Sequence, residues 1–139
     1  MGRKSYSRQA MQKFVSEAQN LSINSGQNLR AINLQIPEEI VIKRIVLNVV
    51  QSSAATGFTD GAFFASVCQN DSFNPDGGDV TDENRLVRTA AGNCGTPVNL
   101  DHTITMRKLA GSGISVQVQN LGVSGESYAV KLTLHYLEV

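Results

Sequence analysis

Apolar and polar residues alternate from Ser127 to Val139. Tyr128, Val130, Leu132, Leu134 and Tyr136 fall on one side of an extended chain, and Ala129, Lys131, Thr133, His135 and Leu137 on the other. A period of two is that of a strand with one buried face. Such a strand does not stand alone in water, so it predicts sheet partners on both sides and a second apolar layer. Ile114, Val116 and Val118 alternate in the same way with Ser115, Gln117 and Gln119. So do Ile32, Leu34 and Ile36 with Asn33 and Gln35, until Pro37-Glu38-Glu39 breaks the run. Ile40 to Gln51 carries Ile and Val on both faces around Lys43, Arg44 and Asn48, the composition of a central strand covered above and below.

Shorter strands are predicted at Ala62–Gln69, Arg85–Ala91 and His102–Leu109. The tight link Gly111-Ser112-Gly113 makes His102–Leu109 and Ile114–Gln119 read as a hairpin. One stretch has a different period. Ala10, Met11, Phe14, Val15, Ala18 and Leu21 fall at helical spacing behind Ser7 in the N-cap position, which predicts an amphipathic helix over Ser7–Leu21. Its apolar stripe needs a surface, either the end of the chain's own sandwich or a neighbouring copy. The expected organisation is therefore a basic arm and helix over residues 1–27 and a β domain over 28–139. Seven or eight strands, Gly-rich turns and no crossover helix indicate an all-β antiparallel sandwich. With no Trp anywhere, the Cys…Trp…Cys core of immunoglobulin domains is impossible. Long corner loops favour a jelly roll.

At 139 residues the chain is long enough for one core. Lys plus Arg equals Asp plus Glu, twelve of each, so the surface as a whole is no electrostatic trap for nucleic acid. The distribution is uneven: residues 1–27 have a balance of +3 and residues 28–139 a balance of −3. No apolar run approaches the ~20 residues that cross a bilayer, and no secretory signal follows the N-terminal Arg and Lys, so a soluble protein with no membrane partner is expected. Cys68 and Cys94 belong to no C-x-x-C pair and read as buried free thiols.

Catalytic motifs are scarce. Neither Gly122-Val123-Ser124-Gly125 nor Gly111-Ser112-Gly113 completes a G-x-S-x-G elbow, and there is no phosphate loop or H-E-x-x-H. His102 and His135 read as partly exposed strand positions. The expectation is a protein that is not an enzyme and needs no cofactor. Two stretches are candidates for binding. The loop Asn70–Asn84 carries Asp76, Asp79, Asp82 and Glu83 near a Gly-rich turn, a set of hard oxygen donors suited to Ca²⁺ though not at EF-hand spacing. The arm carries Arg3, Lys4, Arg8 and Lys13 with Tyr6, a set that suits contact with single-stranded nucleic acid. Four neutralised phosphates give a salt slope near about −3, and Tyr6 can stack on a base. Met11, Phe14, Val15, Ala18 and Leu21, the helical stripe, are the candidate subunit interface.

A basic arm, one all-β domain of jelly-roll proportions and long polar loops together resemble a coat protein of a small icosahedral virus. The runs Pro37-Glu38-Glu39-Ile40-Val41-Ile42-Lys43-Arg44-Ile45 and Val130–Val139 are similar in character to single jelly-roll capsid proteins. The resemblance implies a virion protein, made in a host cytoplasm, that tiles a closed shell around the genome with itself as principal partner. The rival expectation is a monomeric or trimeric binding module, a virion spike or decoration protein or a carbohydrate- or receptor-binding domain. Few aromatics fall in loops to supply a sugar platform.

Overall fold

The computed structural model describes residues 11–51, 62–68, 85–93 and 96–139. Eight strands follow one another: β1 (Gln12–Ile23), β2 (Asn28–Gln35), β3 (Ile40–Gln51), β4 (Phe63–Cys68), β5 (Arg85–Gly92), β6 (Val98–Lys108), β7 (Gly113–Asn120) and β8 (Glu126–Glu138). Their pairing follows one rule. β1 lies against β8, β2 against β7, β3 against β6 and β4 against β5, all antiparallel, as if one long hairpin had been rolled up. The added pairs β3–β8 and β4–β7 join these ribbons into two four-stranded sheets, β1-β8-β3-β6 and β2-β7-β4-β5. This is the eight-stranded jelly roll that the strand pattern predicted.

The core lies between the sheets. Alternation places Ile45, Leu47 and Val49 of β3 beside Leu134, Leu132 and Val130 of β8, and all six are buried. Ala65 and Val67 of β4 pair with Val118 and Val116 of β7 to form the facing layer. Burying an aliphatic side chain of this size contributes about 1.5–3 kcal/mol, so these rows dominate the stabilising side of the balance.

Three expectations are corrected. Residues 12–23 are not helical; they form β1, the first strand of the sandwich. The backbone of β8 from Glu126 to Tyr136 presents an unpaired edge, and β1 satisfies it residue by residue. A weak helical preference loses to that tertiary demand. The apolar spacing looked helical because β1 slips register between Ala18 and Leu21, where Asn20 adopts φ 56°, so Leu21 and Ile23 return to the core side one residue late. Second, β6 and β7 form no hairpin. β6 belongs to one sheet and β7 to the other, and the link between them crosses the sandwich. Third, β3 is central but covered on one face only: Arg44 and Val50 on its outer face are exposed. A register shift between Ile42 and Arg44 separates two core residues, Ile42 and Ile45, by three positions, and both intervening cations then face outward.

Candidate assembly surfaces

One pole of the sandwich gathers the β1–β2 turn, the β7–β8 turn and the start of β4. It is closed by Asn120, which is fully buried. Its Nδ2 donates to the carbonyls of Ile23 and Ser124, both at 2.9 Å, and its Oδ1 accepts the Gly122 N–H at 2.8 Å. Its backbone is tied as well: Gly26 N–H donates to Asn120 O at 2.8 Å and Asn120 N–H to Gln27 O at 3.0 Å. Gly26 has φ 75°, which suits glycine in this turn. Beneath this network Phe63 meets Tyr128 edge to face, with centroids 5.1 Å apart. The Phe63 ring also covers Gly92, its cross-strand partner, where an added Cβ would lie 2.5 Å from the ring. Burial, with a smaller contribution from the charge of Glu126, pushes the Tyr128 phenol up to about 12.

At the opposite pole the sheets part. Phe14, Leu34, Ile36, Pro37, Leu134 and Tyr136 wall an open apolar groove of about 90 Å³ between β1, β2 and β8. Glu38 and Glu138 stand among its lining residues. Glu39 next to them is ion-paired with Arg107. Pro37 ends β2 here. The chain on either side is held by Ile36 N–H donating to Ser112 O at 2.9 Å and Gly111 N–H to Ile36 O at 2.7 Å. At the groove mouth Tyr136 Oη donates to Gln12 Oε1 at 3.3 Å.

The outer face of the β1-β8-β3-β6 sheet is charged with both signs. Register aligns Lys13, His135, Arg44 and Thr103 in one row and Glu17, Lys131, Asn48 and Asn99 in another. Arg44 Nε donates to Asp101 Oδ1 at 2.7 Å and Nη2 to Oδ2. That bidentate bond, aided by the charges of Arg44 and His135, holds the Asp101 carboxyl below its usual range and raises the guanidinium. Lys43 Nζ donates to Thr105 Oγ1 at 2.9 Å, and Lys131 lies 4.0 Å from Glu17.

The outer face of the second sheet differs from the wet surface predicted for Ser115 and Gln117: both are buried, as are Ser66 and Cys68. Cys68 is buried, as expected, and accepts a hydrogen bond from Gln117 Nε2 at 3.4 Å.

The predicted site residues are distributed as follows. Arg3, Lys4, Tyr6 and Arg8, the four carboxylates Asp76, Asp79, Asp82 and Glu83, and Cys94 lie outside the described residues. Lys13 is on the outer face of β1, exposed and opposite His135. The five residues of the expected helical stripe do not share a face. Ala18 and Leu21 pack against the chain's own core, while Met11, Phe14 and Val15 are exposed, with Phe14 and Val15 on opposite faces of β1. Among the described residues no group of three or more His, Cys, Asp or Glu side chains is placed to hold a metal ion. Sequence reasoning missed the groove. Its walls come from three strands far apart in the chain, and only the break at Pro37 hinted at an opening there.

The fold defines a class, the eight-stranded single jelly roll, and solved structures similar to it include a viral capsid protein. The BFDV capsid protein in a decameric assembly superposes with a TM-score of 0.53 at 13% identity, covering 94% of this chain and 99% of that one. The BFDV capsid protein in its 60-mer form gives 0.50 at 11%, covering 96% and 95%. FLHE also matches, with a TM-score of 0.52 at 8% identity, covering 93% of this chain and 98% of that one. No protein family's sequence profile matches the chain, and no curated protein sequence does.

Proposed function

We propose that this protein is a structural subunit of a virion, a coat protein that self-assembles into a closed icosahedral shell around the genome. The observation that carries the reading is the end-to-end likeness in fold to a capsid protein of nearly the same extent, one with decameric and 60-mer structures. The surfaces support it. Met11, Phe14, Val15, Leu109 and Val123 are large apolar side chains left exposed, available to contacts between copies. The long edge strands β1 and β6 offer backbone groups for contact with further copies. In a sixty-copy shell, four cations per arm offset only on the order of 240 phosphates, so most of the genome's charge falls to small cations or a separate basic component. A Ca²⁺ ion held by Asp76, Asp79, Asp82 and Glu83, shared with a neighbouring copy, would be a further contact of the same shell.

Negative-stain electron microscopy with light scattering on the purified protein tests the reading. Uniform closed particles are expected, and the ratio of absorbance at 260 and 280 nm then reports enclosed nucleic acid. A homogeneous monomer or trimer at all salt and pH values would overturn it. The reading left standing would be a spike or binding module.

A further inference from the structure

Among the described residues, β1 and β6 close the two sides of one sheet and have a neighbouring strand on one side only. They differ in two respects. β6 slips register against β3 in mid-strand, between Thr103 and Met106, whereas β1 keeps register with β8 without a break from Gln12 to Ala18. β1 also leaves apolar side chains bare: Phe14 is 39% exposed and Val15 42%, while the large apolar residues of β6 are buried or partly covered. A regular, apolar edge of this kind is a template for a further strand. The unbroken stretch Gln12–Ala18 has Val15 at its midpoint. Lys13, Val15 and Glu17 lie on the outer face, opposite His135, Thr133 and Lys131 of β8, and Phe14 and Ser16 lie on the inner face. Turned end for end about Val15, the stretch sets Lys13 in the place of Glu17 and Glu17 in the place of Lys13. In charge, the strand is complementary to a second copy of itself.

We propose that β1 pairs antiparallel with β1 of a second copy of this chain, about a two-fold axis through Val15, and joins the two sheets edge to edge. The inference rests on the self-assembly reading and names one of its contacts. Lys13 stands opposite the partner's Glu17, and Glu17 opposite the partner's Lys13. Val15 meets its counterpart, and Phe14 lies opposite the partner's Ser16, within diagonal reach of the partner's Phe14. The contact is isologous, so each charge pair is made twice. Other registers that keep the inner faces on one side lose this match. Centred on Lys13 or Glu17 they oppose like charges, and centred on Phe14 or Ser16 they leave both charges unmatched. Pairing gives the outward backbone groups of β1 their hydrogen bonds and covers Phe14 and Val15. It stops where the ladder does: beyond Ala18 the slip at Asn20, with φ 56°, takes the edge out of line.

Charge reversal in the full-length protein tests the contact. Lys13→Glu makes both outer-face charges of β1 acidic and Glu17→Lys makes both basic, so each variant alone opposes like charges twice. By sedimentation velocity and negative-stain microscopy, either variant alone should lose dimer and particle yield about tenfold, and an equimolar mixture of the two should restore them. Val15→Cys should be captured as a disulfide-linked dimer on mild oxidation. Lys13→Cys should not, since the two copies of that position lie about 13 Å out of register. Variants that assemble as the parent does overturn the inference and leave the coat reading intact. A loss that mixing fails to restore also overturns it, and assigns the effect to the protomer's own Glu17–Lys131 pair or to a nucleic-acid contact of Lys13. A dimer that responds to the charge swap but closes no particle upholds the contact and removes the shell. A chain that stays monomeric removes both.

Discussion

The two poles of the sandwich are made of similar strand ends and end in opposite ways. At one, a single buried amide, Asn120, uses both its donors and its acceptor to tie the end of β1 to the β7–β8 turn. At the other, Pro37 stops β2, and the gap between the sheets stays open as a groove. A closed pole with every bond made inside the chain can only serve the fold. An open pole leaves apolar surface uncovered and costs stability until something fills it. The difference separates residues that hold the protomer together from residues available for a partner, and substitutions at the two ends should therefore read out differently.

The largest effect is expected at the closed pole. Asn120→Asp keeps the shape but turns a donor into an acceptor facing two carbonyls, and should cost about 3 kcal/mol in urea unfolding. An unchanged midpoint would mean that the pole is not held as described. Next comes Gly92→Ala, which drives a Cβ into the buried Phe63 ring and should destabilise by about 2 kcal/mol. Adding Phe63→Leu should recover part of that loss, because the two sites share one contact.

Tyr128 supplies a pH test at the same pole. Its folded pKa, about 12, lies above the unfolded value of 10.0, so between these values the unfolded chain releases a proton that the folded chain keeps. Stability is complete below pH 10 and should fall by on the order of 2 kcal/mol as pH rises toward 12. Tyr128→Phe should flatten that part of the curve at little cost near neutral pH, because the hydroxyl it removes has no hydrogen-bond partner among the described residues. The smallest effects belong outside the closed pole. Leu34→Ser at the groove should cost about 1 kcal/mol because the side chain is only partly buried against the core, and on the coat-protein reading should change particle yield. Arg44→Ala on the outer face should move the unfolding midpoint by no more than about 0.5 kcal/mol, as expected of an exposed ion pair.

Most of the sandwich was legible in the chain because β3, β7 and β8 carry alternating residues whose inner faces are strongly apolar. The failures have identifiable causes. β1 is an edge strand with polar Ser16 on its inner side and a register slip at Asn20, so its apolar residues, seen without β8 beside them, fit a helix equally well. Gly111-Ser112-Gly113 has the composition of a hairpin turn, but which sheet receives the next strand is decided by Ile36. Its backbone bonds both sides of that link and lies 75 residues earlier. Lys43 and Arg44 gave no sign in sequence that a bulge turns both outward. The groove was illegible for the same reason as the hairpin: Phe14, Leu34 and Tyr136 become neighbours only once the ribbon has rolled up.

The pairing rule also sets a timetable for synthesis. β1 is made first and pairs with nothing but β8 in its sheet, the strand made last, so Gln12 waits for Tyr136 across 124 residues. While the chain is still emerging from a ribosome, β4 and β5 can meet early; the sheet that carries Phe14 cannot be completed until β8 has emerged. Pairings of such separation are slow to form. Truncated nascent chains therefore lack a finished groove and a finished β1.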